Sequence, residues 1–205
     1  MERRYLKQHA ATVRIDGDDS PTITGYASVT YDGTPATQYD LWPGVVERIM
    51  PGAFDGAIAR GDDARGLFNH DSNMLLGRRS ADTLKLATDS TGLRYDIDPP
   101  DTQVGRDVVE MIKRGDLQGS SFAFIVTDEE WRKEDGLEIR EIQGVELFDV
   151  GPVTYPAYEN TTTGVRSQTE KSDARTAYAA WKSSIATKRA NQMIQNRRID
   201  AAQYM

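Results

Sequence analysis

The sequence predicts a mainly β (α+β) fold of antiparallel strands with a few flanking helices, followed by a separate helical tail. Three observations carry this. Short runs with period-two alternation recur along residues 1–166, separated by Gly, Asp and Pro turn clusters. Only two stretches in that part of the chain carry helix signals, near residues 53–59 and 101–115. From Lys171 onward the apolar spacing changes to helical, with Ala174, Ala177, Tyr178, Trp181 and Ile185 in one stripe. The break falls near Arg166-Ser167, giving a body over 1–166 and a tail over 167–205.

Composition bounds the chemistry. The chain has 205 residues, enough for one domain with a real core plus an appendage. It has no cysteine, which excludes disulfides, thiolate zinc sites and cysteine nucleophiles. No run approaches the roughly 18 apolar residues of a membrane span, and the basic start, Glu2-Arg3-Arg4, lacks the apolar run of a secretory signal, so no membrane partner is expected. Of the net charge of −7, the tail holds seven Lys/Arg against three Asp/Glu, a balance of +4 that leaves −11 on residues 1–166. An acidic body argues against direct nucleic-acid binding, while the basic tail suits an acidic partner or the body itself.

The elements follow in order. Residues 1–10 carry no pattern. Thr12–Ile15 and Thr22–Tyr31 read as a hairpin around the 16–21 turn cluster, with Ile23, Gly25, Ala27 and Val29 on one face. Asp32–Trp42 reads as a loop and Val45–Ile49 as a strand. A short helix over Ala53–Ala59 stops at Gly61. Gly66–His70 reads as a strand ending on the histidine, with His70 on the face of Phe68. Thr83–Ala87 and Gly92–Ile97 flank a turn at Asp89–Gly92. After Pro99-Pro100 comes a helix capped by Asp101 or Thr102, with Val104, Val108, Met111 and Ile112 facing the core and Gly115 ending it. Gly119–Val126 is a core strand. Thr127–Gly136 is highly charged and reads as an exposed connection. Leu137–Ile142 and Val145–Val150 are two further strands, and Pro152–Ala157 is an extended exit.

Three polar residues stand at strand positions with apolar neighbours: His70, Ser121 and Asp149. A serine hydroxyl needs an imidazole in hydrogen-bond reach to act as a nucleophile, and the imidazole needs a partner on its other nitrogen. With only His9 and His70 in the chain, candidates for the base are few. Each residue also has an ordinary explanation. His70 fits a core-edge histidine, Asp149 a partner for an arginine, and Ser121 a turn cap. No metal-ligand spacing and no glycine-rich phosphate loop occurs, and no cofactor is expected.

A series of short motifs then runs in order from Gly25 to Thr161. It comprises Gly25-Tyr26-Ala27, Pro51-Gly52-Ala53-Phe54, Phe68-Asn69-His70-Asp71 with Leu76-Gly77-Arg78, Thr83-Leu84-Lys85-Leu86 and Gly92-Leu93. It continues with Gly105-Arg106-Asp107-Val108, Gly115-Asp116-Leu117, Ser121-Phe122-Ala123-Phe124, and Leu147-Phe148-Asp149-Val150 with Pro156-Ala157-Tyr158. The ordered series resembles the prohead (procapsid maturation) proteases of tailed bacteriophages, serine proteases related in fold to herpesvirus assemblin. The resemblance implies an assemblin-like antiparallel β-barrel. It places His70 at the family's catalytic histidine, Ser121 at its serine and Asp149 at the third position. Ser120 stands where methionine is usual. Ala123 replaces a frequent glycine, which could narrow the space beside Ser121, and Gly151 replaces a frequent serine beside the third member. A backbone amide within Gly151–Tyr158 is the expected oxyanion donor. The resemblance further implies a serine endopeptidase acting in the host bacterial cytoplasm, inside the immature capsid. It would cleave the major capsid protein or scaffold protein, and possibly itself, and act as a homodimer. The tail would be a targeting or autoprocessed segment, or a peripheral helix. The alternative function is a catalytically silent capsid-assembly component with the same fold.

Overall fold

The computed structural model describes residues 1–6, 11–15, 20–154 and 173–188. In chain order the elements are β1 (Glu2–Leu6), β2 (Thr12–Ile15), β3 (Pro21–Val29), β4 (Tyr39–Trp42), β5 (Val45–Ile49), α1 (Asp55–Arg60), β6 (Arg65–Leu67) and β7 (Leu75–Arg78). They continue with β8 (Leu84–Thr88), β9 (Gly92–Ile97), α2 (Gln103–Arg114), β10 (Gly119–Glu134) and β11 (Leu137–Val153). A third helix, α3, covers 173–188. The chain divides into two compact units, Met1–Arg166 and Ser167–Met205. Among the described residues no helix is long and apolar enough to cross a membrane.

The larger unit is mostly sheet. One sheet runs β1-β10-β11-β5-β4, with β6 and β7 added where β6 pairs β11; the other runs β2-β3-β9-β8. The expected antiparallel barrel is corrected on two points. The described strands form two sheets rather than one closed ladder. Two of the pairings, β11 with β5 and β11 with β6, are parallel. The reason is the length of β11: its first half takes β5 as neighbour at 138–142 and its last part takes β6 at 149–150. A single strand therefore spans two neighbourhoods.

One apolar core joins the sheets. Ile23, Leu84, Leu93, Tyr95 and Ile97 from the smaller sheet meet Ile49, Phe122, Phe124, Ile142 and Val150 from the larger. Phe122 stacks on Phe124 at 4.7 Å and meets the edge of Phe54 at 5.5 Å, arrangements that suit the ring quadrupoles. Helix α2 behaves as its pattern predicts. The Thr102 hydroxyl accepts from the Gly105 N–H at 3.3 Å, Val108 and Ile112 are buried, and Gly115 closes the helix in the left-handed conformation (φ 79°) that a glycine adopts without strain.

Four local expectations differ from the structure. Residues 1–6 contain a strand, and 39–42 within the expected loop form β4, which pairs β5. The charged stretch 127–136 is not a connection. Residues 127–134 continue β10, and 135–136 turn directly into β11, making one long hairpin. Its charges are matched across the ladder, with Arg132 bonded to Glu141 at 2.7 Å and Arg140 to Glu129 at 2.6 Å. Asp135 and Gly136 both have positive φ, 49° and 83°, the two-residue turn that fits a twisted hairpin. Finally, β6 stops at Leu67, so His70 is not on a strand.

In the smaller unit, α3 brings the Tyr178 and Trp181 rings to 5.9 Å, with the Lys182 ammonium 5.3 Å from each.

Candidate active site

Ser121 and Asp149 are placed by the β10–β11 ladder. Its register sets Ser121 opposite Gly151 and Ala123 opposite Asp149. Directly paired residues share a face, so these four make the corners of a rectangle on one side of the sheet. Ser121 and Asp149 occupy one diagonal. The other holds Ala123 and Gly151, whose small or absent side chains leave room above the sheet.

His70 fills that room. It follows β6, the strand that pairs with β11 at Asp149 and Val150. The chain leaves the ladder at Leu67 and enters a turn in which Asn69 and His70 both have left-handed backbone, φ 56° and 57°. A non-glycine residue held there costs about 1 kcal/mol or more, so the turn has to be held by its surroundings. It delivers the imidazole between the other two groups. Nδ1 lies 2.5 Å from Asp149 Oδ1, and Nε2 lies 2.5 Å from Ser121 Oγ. All three side chains are withdrawn from solvent, His70 at 4% and Asp149 at 8% exposure and Ser121 at 0%.

With a carboxylate against Nδ1, the neutral ring carries its proton there, and the Nε2 lone pair faces the serine. That is the arrangement in which an imidazole accepts a hydroxyl proton during attack on a carbonyl. Ser121 Oγ also lies 2.9 Å from the main-chain carbonyl of Arg4, to which it can donate. One hydroxyl proton thus has two acceptors, Nε2 and the Arg4 oxygen.

Ser120 points elsewhere. Its hydroxyl is 2.8 Å from the Tyr95 hydroxyl, fully buried on the opposite side of the strand. Gly25 leaves space for this pair, since a Cβ there would press on both oxygens. Burial pushes the Tyr95 phenol well above its ordinary range. The two sequence departures are accommodated. The methyl of Ala123 does not hold His70 off Ser121. Gly151 lies where a Cβ would collide with the Leu67 carbonyl, so its lack of a side chain lets β6 close on β11.

Strand β1 gave no sequence signal, because its inward residues are charged. Glu2 and Arg4 are buried with Glu47 and Arg140. Arg4 reaches Glu47 at 2.5 and 2.7 Å and Glu2 at 2.6 Å. Arg140 reaches Glu2 at 2.8 and 2.9 Å and Glu47 at 3.0 Å. This network fixes β1 against β5 and β11 and so holds the Arg4 carbonyl at Ser121. Glu47 stands next to Arg48 and Arg140 next to Glu141, so local charge partners hide the need of each for a distant one. Of the expected oxyanion stretch, residues 155–158 lie outside the described residues. Within the rest, Pro152 has no N–H and the Thr154 N–H donates to Asn69 Oδ1. His9 also lies outside the described residues.

Joined in this order, the three groups have the chemistry of a serine hydrolase, and the fold around them is mainly β. A model of the caudovirus prohead serine protease family matches residues 9–175, and the chain belongs to that family, a class of capsid-maturation proteases. Among solved structures, the bacteriophage T4 capsid assembly protease is similar at 12% identity and a TM-score of 0.43, over 75% of this chain and 99% of that one. No curated protein matches the chain.

Proposed function

We propose that this protease is a serine endopeptidase in which Ser121 is the nucleophile, His70 the general base and then acid, and Asp149 the residue that orients His70. Ser121 Oγ attacks the scissile carbonyl as Nε2 takes its proton. The imidazolium is stabilised by the Asp149 carboxylate at Nδ1 and then passes the proton to the leaving amine. Water repeats the sequence on the acyl-enzyme. The observation that supports this best is the 2.5 Å contact on each side of the His70 ring.

Its substrates are the major capsid protein or the scaffold protein inside the immature capsid, and the chain itself at the tail. Residues 167–205, with their +4 charge, serve to target the protease to an acidic scaffold or are removed by autoprocessing. The working form is a homodimer. The test is co-expression with the capsid and scaffold proteins of the same phage, comparing wild type, Ser121→Ala and Ser120→Ala on a gel. Trimming by wild type and Ser120→Ala but not by Ser121→Ala supports the reading. Intact bands in all three, under conditions where procapsids form, would make the chain a silent assembly component.

A further inference from the structure

The position of His70 is decided outside the strand ladder. The last ladder pairing between β6 and β11 is Gly66 with Val150, and just beyond it the Leu67 carbonyl occupies the space that a Cβ on Gly151 would need. Three residues later the imidazole must meet two partners at 2.5 Å each. Between these points the backbone passes through two successive left-handed residues, Asn69 and His70. Such a pair has no ladder of its own to keep it in place.

Asn69 supplies the missing tie. Its N–H donates to the Pro152 carbonyl at 3.0 Å. Its side chain forms a two-bond clip with Thr154: Nδ2 donates to Thr154 Oγ1 at 3.0 Å, and Oδ1 accepts from the Thr154 N–H at 2.8 Å. All three bonds end at or just past the end of β11, the strand that carries Asp149. On the other side of His70, Asp71 closes only its own loop, accepting from the Asn73 N–H at 2.8 Å and Nδ2 at 2.9 Å. Asparagine fits the position because it tolerates left-handed backbone and its amide offers one donor and one acceptor side by side.

We propose that Asn69, through its clip to Thr154, is a positioning residue that sets the His70 imidazole in register with Ser121 and Asp149 at once. This rests on reading His70 as the base. Proton transfer from Ser121 is sensitive to small displacements of the ring, so loss of the clip acts on the rate of the chemical step more than on stability.

The test uses the full chain and diisopropyl fluorophosphate, which reports the nucleophilicity of Ser121 without a peptide substrate. The readouts are the second-order labelling rate and the low-field proton resonance of His70 Nδ1–H. Asn69→Gly keeps the backbone free to be left-handed and removes the clip. It is expected to label about 10- to 100-fold more slowly than wild type, with the Nδ1 resonance shifted or lost. Asn69→Asp, whose carboxylate accepts from the Thr154 N–H and hydroxyl, should recover most of the rate. Thr37→Ala serves as the stability control, because it removes a comparable surface bond, Thr37 Oγ1 to Asp32 at 2.7 Å. If Asn69→Gly labels like wild type, or slows no more than Thr37→Ala, the positioning role is overturned while the His70 reading stands. A wild type that does not label removes the His70 reading and this inference with it.

Discussion

The main-chain carbonyl of Arg4 accepts a hydrogen bond of 2.9 Å from the hydroxyl of Ser121, 117 residues away in sequence. The first strand is therefore part of the site through its main chain. The side chain of the same arginine is buried among Glu47 and Glu2 and anchors the strand that presents the carbonyl.

Breaking that anchor should be severe. Arg140→Met leaves Glu2 and Glu47 buried with Arg4 as their remaining cation in this cluster. Removing one partner of a buried ionic group typically destabilises by about 3–5 kcal/mol. Urea unfolding should show a loss in this range, and amide exchange in β1 should accelerate first. A loss under about 1 kcal/mol would mean that the network does not hold the strand.

Acid should act on the same network. Burial raises the Glu2 carboxyl, but the hydrogen bonds and charges of Arg140 and Arg4 outweigh it and hold it below the ordinary value of 4.5. A depressed folded-state pKa gives stability that is present above the unfolded value and is lost as pH falls through the folded one. Wild type should therefore lose urea resistance below about pH 4.5. Glu2→Gln should start lower at neutral pH, and its deficit should shrink on acidification. A deficit that stays constant down to acid unfolding would contradict this.

The two serines should separate by phenotype. Ser120→Ala leaves the buried Tyr95 hydroxyl without its partner at 2.8 Å, a loss of about 1–3 kcal/mol, with activity retained. Thermal melts and a cleavage assay on the same samples check both halves.

Replacing Gly151 should injure the site through the backbone. In Gly151→Ala the new methyl meets the Leu67 carbonyl, so β6 must move off β11 and take the His70 turn with it. Reduced activity together with a lowered melting temperature is expected. An unchanged melting temperature would show that the contact relaxes at no cost.

Much of this architecture was legible where local pattern and tertiary need agree. Thr102, Gly115 and the apolar face of α2 specify a helix on their own, and β3, β8 and β9 alternate along much of their length because one side of each is the more buried. The rest depends on partners far along the chain. Glu2 and Arg4 look solvent-exposed until Glu47 and Arg140 are placed beside them. Residues 127–134 look like a loop until Glu141 and Arg140 supply their cross-strand partners. His70 read as the end of a strand because Phe68 alternates with it. The turn that carries it is set by Asn69 bonding to Pro152 and Thr154, more than 80 residues later. Its meeting with Ser121 and Asp149 follows from register and crossing, which residue spacing does not encode.

Asp149→Asn should keep the fold and lower the rate. The amide can donate to Nδ1 and so favour the tautomer with the proton on Nε2, which cannot accept from Ser121. A fall of about 10⁴-fold is expected, read from hydrolysis of a peptide containing the mapped cleavage site. Activity within tenfold of wild type would remove Asp149 from the mechanism.

The most direct measurement is mass-spectrometric mapping of the residue that a fluorophosphonate modifies, in wild type, His70→Ala and Ser120→Ala. Modification of Ser121 alone in wild type and Ser120→Ala, and its absence in His70→Ala, is the predicted result. Labelling at Ser120, or labelling of Ser121 that persists without His70, would contradict the account.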